Sequence, residues 1–229
     1  MNAVDQSTAL HAIKDLFRDY PRPYWVAGGW ALDLFAERTR RPHGDIDVLV
    51  LARDLAFLAD TFTSPRPVVQ YAETGEQRPW VVGEQLEPGP HALVFPDDNR
   101  LCPIQILLAA SDADQWVYHR GRGTIRRSLA EITLMSELGL PYLSPEIVLL
   151  FKSRSTRPKD NDDFADVESL LDGQHRQWLV DRIAPRYPDH PWLPVLRAGA
   201  LEGSQGIGSL WHLVQNAELT MREIEGATL

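Results

Sequence analysis

The chain has 229 residues, 44% of them apolar and 24% charged. That balance supplies one or two compact domains and excludes a chain too polar to build a core. Its formal charge is -9, from 23 Lys and Arg against 32 Asp and Glu, so an acidic surface faces any polyphosphate backbone and nucleic acid is not the expected partner.

One cysteine, Cys102, excludes an internal disulfide framework and fits a reducing compartment. No apolar run reaches the roughly 20 residues needed to span a bilayer, and Met1 to Asp5 lacks the features of a secretory signal. A cytoplasmic location away from membranes is expected.

In chain order, Ser7 reads as the cap of a first helix, with Leu10, Ile13, Leu16 and Phe17 at helical spacing. Tyr24 to Ala27 reads as a strand that ends in a Gly28-Gly29 turn. Trp30 to Arg38 is helical, with Ala31, Leu34 and Phe35 offered to the core. Asp45 to Leu51 is a second strand and Arg53 to Phe62 a third helix.

From Pro67 to Ala110 the pattern is extended. Strands are predicted at Val68–Tyr71, Trp80–Val82, His91–Phe95 and Ile104–Leu108, the last two pairing as a hairpin across the Pro96–Asn99 turn. Gly121-Arg122-Gly123 with Arg126-Arg127 reads as a small basic loop. Beyond Leu140 the chain turns helical: Ser144 as cap, Pro145 and Glu146 in the first turn, then segments at Asp163–Leu171, Trp178–Arg186 and Leu210–Glu225. The predicted organisation is α+β over residues 1–138, a mixed sheet flanked by helices, followed by a helical part over 139–229.

The segment that carries chemistry runs from Gly28-Gly29-Trp30 to Arg41-Pro42-His43-Gly44-Asp45-Ile46-Asp47. Side chains alternate along a strand, so Asp45 and Asp47 share a face while Ile46 turns inward. Two carboxylates that close repel unless a cation lies between them. Magnesium accepts a few carboxylates together with triphosphate oxygens, and so serves phosphoryl or nucleotidyl transfer. Gly28 and Gly29 lack Cβ atoms and let backbone amides approach a phosphate at the mouth of the next helix. Arg41 and His43 precede the acids and are candidates to steady triphosphate charge.

Further along stand Lys152, then Arg157-Pro158-Lys159-Asp160 and Asp163. Lys152 and Lys159 are candidate ligands of the β- and γ-phosphates. The alternative for Lys159 is a surface ion pair with Asp163, four residues on. Trp80 and Trp116 are either core residues or walls of an acceptor pocket. The histidines show no zinc spacing.

These motifs resemble the DNA polymerase β-like nucleotidyltransferase superfamily, with its glycine turn, helix and Asp-x-Asp strand. More narrowly, Ala27 to Asp33 and Thr39 to Asp47 resemble the aminoglycoside 2''-adenylyltransferase-like family, and Pro145 to Phe164 is similar to that family's helical region. The resemblance spans roughly Ala12 to Trp192 and implies a nucleotidyltransferase fold. It also implies transfer of a nucleoside monophosphate, usually AMP from ATP, to a hydroxyl, with Asp45 and Asp47 holding Mg2+.

The resemblance further implies a third carboxylate on a neighbouring strand, where this sequence places Gln105. Glutamine is no proton acceptor and a poor magnesium ligand. Glu84, Asp97, Asp98 or Glu146 substitutes for it, or metal and positioning act alone, or the chain binds nucleotide without transferring it. The expected acceptor is a cationic small molecule such as an aminoglycoside-like antibiotic. The alternative is a toxin-like transferase that modifies RNA or protein. A monomer and a homodimer are equally compatible with the sequence.

Overall fold

The computed structural model describes residues 6–61, 67–81, 83–89, 91–95, 103–120 and 123–202. The chain divides into two compact units, Met1–Phe151 and Lys152–Leu229. The first opens with α1 (Gln6–Leu16), β1 (Tyr24–Val26), α2 (Gly28–Phe35), β2 (Ile46–Leu51) and α3 (Leu55–Thr61). It continues through β3 (Val68–Tyr71), β4 (Gln77–Pro79), β5 (His91–Phe95) and β6 (Ile104–Asp112). Then come β7 (Gln115–Arg120), β8 (Gly123–Ser128), β9 (Thr133–Met135), β10 (Pro141–Leu143) and α4 (Pro145–Lys152), whose last residue opens the second unit.

The strands form one mixed sheet in the order β4-β3-β5-β6-β2-β1-β10-β9, with the β7–β8 hairpin carried on the far half of β6. β2 lies at its centre, antiparallel to β1 and parallel to β6. From Val48 to Leu51 every β2 side chain is buried, the signature of a strand covered on both faces. Each such aliphatic chain contributes about 1.5–3 kcal/mol by leaving water. The expected β5–β6 hairpin is present, antiparallel with Phe95 opposite Ile104; its connecting turn at 96–99 lies outside the described residues.

Several local expectations are corrected. Ser7 lies inside α1, which already includes Gln6, so it is not the cap. The buried face of α2 is Trp30 to Asp33, while Leu34 and Phe35 are only half-buried. The strand expected at Trp80–Val82 lies three residues earlier, as β4, and Trp80 is a buried plug behind it. Arg126 and Arg127 are not loop residues: they stand in β8, paired with Asp112 at 2.8 Å and with Glu146.

Trp116 is no pocket wall either. It is fully buried, stacked on Tyr118 at 5.5 Å and edge-on to Phe151. Ser144 precedes α4 as expected, yet its carbonyl receives the Ile147 and Val148 amides while the buried hydroxyl has no hydrogen-bond partner among the described residues. The boundary expected at 138/139 falls between β9 and β10, two strands of one antiparallel pair, whereas the compact units meet at 151/152.

The second unit holds α5 (Pro158–Val167), α6 (Gly173–Ile183) and α7 (Leu193–Glu202). Pro158 opens α5, where its missing N–H is no loss. Asp172 caps α6 by accepting the His175 amide at 2.8 Å, and its contacts with His175 lower its carboxyl pKa to about 2. Phe164 stacks on Trp192 at 4.5 Å, and the Trp192 indole donates to Asn161. Arg176 is buried but satisfied by the Leu171 carbonyl and Glu168, and its guanidinium fills the space a Gly199 side chain would need. The Leu210–Glu225 helix predicted from the sequence lies outside the described residues. Among the described residues no helix is long and apolar enough to cross a membrane.

Candidate functional site

Register brings the glycine turn and the acid pair together. β1 and β2 run antiparallel with Val26 opposite Val48, so the next step outward places Ala27 beside Asp47, and the Ala27 amide donates to the Asp47 carbonyl at 2.8 Å. The chain must then leave β1 and enter α2 at once. Gly28 does this with φ +59, a left-handed value that costs glycine little and other residues much. A Cβ on Gly28 would stand 2.2 Å from Asp47 Oδ2. The Asp47 carboxylate therefore lies over the bare glycine backbone.

Ile46 and Val48 are fully buried, while Asp45 and Asp47 remain partly open, as strand alternation requires. Asp45 is fixed from two sides. The Trp30 indole donates to its carbonyl at 2.9 Å, and the Gln105 amide donates to its carboxylate at 3.0 Å. Gln105 is register-paired with Asp47 on the parallel neighbour β6, so the neutral amide occupies the place where the sequence raised the question of a third acid. Its donor to Asp45 offsets part of the repulsion between the two carboxylates.

The other candidate acids are engaged elsewhere or undescribed. Glu146 is buried against Arg127. Glu84 is clamped by Arg78, whose hydrogen bonds hold its carboxyl below the usual range. Asp97, Asp98 and Cys102 lie outside the described residues. No group of three or more His, Cys, Asp or Glu suited to a metal occurs among the described residues.

Arg41 and His43 meet at Gly29. A Cβ there would lie 2.4 Å from the His43 ring and 3.0 Å from an Arg41 guanidinium nitrogen. The His43 ring also packs on Trp30 at 4.7 Å and contacts Asp33 through Nε2 at 2.7 Å. Asp33 is wholly buried and also forms an ion pair with Arg40 at 2.7 Å. Sequence reasoning gave neither Asp33 nor Arg40 a role. The available signal was an acid as the lone charge in the otherwise apolar segment Gly28–Phe35.

Lys152 and Lys159 belong to the second unit. Lys159 is exposed, and Asp163 is buried and taken by Lys152 at 2.7 Å, so a buried pair stands in place of the Lys159–Asp163 surface pair offered as the alternative. Lys152 also reaches Asp160 at 3.3 Å. Burial alone would raise the Asp160 carboxyl pKa, yet Arg157 and Lys152 hold it below the ordinary range. Lys152→Ala leaves two buried carboxylates short of their shared cation. The expected result is a loss of about 3–5 kcal/mol from the second unit, read as a lower urea midpoint. Lys152→Arg should recover much of it.

Residues 9–80 match the family model described as aminoglycoside-2''-adenylyltransferase. No curated protein matches the chain in sequence. Among solved structures, the chain resembles the lincosamide antibiotic adenylyltransferase LnuA, solved bound to lincomycin. That likeness has 18% identity over 74% of this chain and 100% of that one, at a TM-score of 0.52. It also resembles ANT(2'')-Ia, solved in complex with adenylyl-2''-tobramycin, with 17% identity over 80% of this chain and 98% of that one, at a TM-score of 0.53. At these identities the likeness is one of fold, and the fold is that of a nucleotidyltransferase.

Proposed function

We propose, from the premise that residues 9–80 carry the aminoglycoside-2''-adenylyltransferase pattern on a nucleotidyltransferase fold, that this chain transfers a nucleoside monophosphate to a small antibiotic. The acceptor hydroxyl attacks the α-phosphorus of a triphosphate, ATP in the first instance. A new oxygen–phosphorus bond forms, the α–β bridge breaks, pyrophosphate leaves and the hydroxyl proton is released. The observation that carries this reading is the Asp47 carboxylate standing over the Gly28 backbone, with Asp45 just before β2 and bonded by Gln105, the register partner of Asp47.

The donor set fits a divalent ion. Asp45 and Asp47 offer carboxylate oxygens on a shared strand face, and the Gln105 side chain, whose nitrogen side meets Asp45, keeps an amide oxygen as a weaker donor. Mg2+ held there supplies charge neutralisation on the triphosphate and on the pyrophosphate that leaves. The amides that open α2 lie where a phosphate approaches a helix N-terminus, and Arg41 adds a fixed positive charge beside Gly29. The net charge of -9 favours a cationic acceptor over a nucleic-acid one.

Pyrophosphate release with MgATP, measured across a panel of aminoglycosides and lincosamides, tests the reading. Stimulation by at least one polyhydroxylated cationic member is the expected result. ATP binding without turnover across the panel would favour a second reading, a nucleotide-binding protein without transfer, which the neutral amide of Gln105 motivates.

Gln105 also gives a gain-of-function test. Gln105→Glu places a third carboxylate beside Asp47, repelling its neighbours without metal and able to accept the acceptor's proton with it. A kcat higher by about tenfold is expected, together with a larger Mg2+-dependent rise in Tm than the parent shows. An unchanged Mg2+ response would remove Gln105 from the site.

A further inference from the structure

We propose that Asp33 is a positioning residue of the nucleotide site, a role that rests on the function proposed above. It uses both carboxylate oxygens from inside the fold, Oδ1 facing Arg40 Nε and Oδ2 facing His43 Nε2, each at 2.7 Å. All three side chains are essentially dry: Asp33 and Arg40 have no exposed side-chain surface and His43 has 3%. A buried charge of this kind is costly unless it is balanced; Arg40 does so at ion-pair distance rather than through an aligned Nε–H to Oδ1 hydrogen bond.

What the network holds is the first turn of α2. The Arg40 guanidinium donates to the Gly29 carbonyl at 3.2 Å, so the same cation that neutralises Asp33 grips the backbone of the glycine turn. The His43 ring, anchored at Nε2, lays its adjoining edge, Cε1 and Nδ1, in the space left by the missing Gly29 side chain. The other face of the ring packs against Trp30, which in turn holds the Asp45 carbonyl. Asp33 thereby connects the phosphate-facing turn with the strand start that carries the acids, and touches neither nucleotide nor metal itself. An ordinary core residue at position 33 would fill the volume without fixing either Arg40 or His43.

The test is a calorimetric titration of the full chain with ATP in the presence of Mg2+, beside steady-state KM values for ATP and for the acceptor. Asp33→Asn keeps the shape and removes the charge. The double variant Asp33→Asn with Arg40→Gln removes both charges, so that neither is stranded in the core. In both we expect a Kd and a KM for ATP at least tenfold higher, an acceptor KM within twofold, and an unchanged circular dichroism spectrum. ATP affinity within twofold of the parent in the double variant would overturn the positioning role. So would failure of both variants to fold, which would assign the network to stability alone. Absence of any ATP binding to the parent chain would instead overturn the functional reading, and with it the site that Asp33 is said to position.

Discussion

Asp47→Asn is expected to lower nucleotidyl transfer by about 10³-fold or more, with the fold and its stability intact. Asparagine matches the shape of aspartate but carries no charge, so under the proposed function a divalent ion at this site would lose one of its two anionic ligands. In a dry site such a ligand offsets several kcal/mol of developing phosphate charge, and each 1.4 kcal/mol is tenfold in rate. Stability behaves oppositely. Without metal the two carboxylates repel, so removing one charge should leave Tm unchanged or raise it. Asp45→Asn should give a similar loss of rate, and its amide would also compete with the Gln105 donor that now meets the carboxylate. A kcat within tenfold of the parent for either variant would contradict these roles.

Gly28→Ala is the second large effect, about 10²-fold in kcat/KM for ATP. Two costs combine. At φ +59 a residue with a Cβ is strained by about 1–3 kcal/mol, and the Cβ itself would sit 2.2 Å from Asp47 Oδ2. The carboxylate must move, and a displacement near 1 Å at a reacting centre costs about 10² in rate. Gly139→Ala separates the two costs, because Gly139 has φ +71 in the turn between β9 and β10 with nothing within 4 Å of its would-be Cβ. It should lose stability and keep its rate. Equal kinetic losses in the two variants would mean that strain alone, and not the approach of Asp47, explains the result.

The central strand and its acids were legible because local and long-range signals agree there. Ile46 and Val48 to Leu51 are strand formers, Asp45 and Asp47 alternate with Ile46 and Val48, and glycines stand one helix upstream; the strand itself begins at Ile46, one residue later than expected. The β5–β6 hairpin was legible for a similar reason, two apolar runs separated by turn residues. The β7–β8 hairpin was not, because its outer strand, Gly123–Ser128, is polar and carries two arginines. Those arginines stand in the ladder with β7, and Asp112 and Glu146 receive their side chains, contacts 14 and 19 residues away in sequence.

The same limit hid Asp33 and Arg40. A charged side chain reads as surface unless its partner is known, and both Asp33 partners arrive from the loop that follows α2. Lys152, at the end of an apolar helix, reads from the sequence as a candidate phosphate ligand. Its buried partners Asp160 and Asp163, however, tie it to the second unit's own core. The place of Gln105 near the acids was readable only through the family resemblance, and neither its register opposite Asp47 nor its hydrogen bond to Asp45 was legible in the sequence.

The most direct measurement is Mn2+ binding by electron paramagnetic resonance, with a non-hydrolysable ATP analogue present, on the parent chain and on Asp47→Asn. A site built from Asp45, Asp47 and the glycine turn predicts one tightly bound, nucleotide-dependent Mn2+ in the parent and at least a hundredfold weaker binding in the variant. Equal Mn2+ binding by both chains would contradict it.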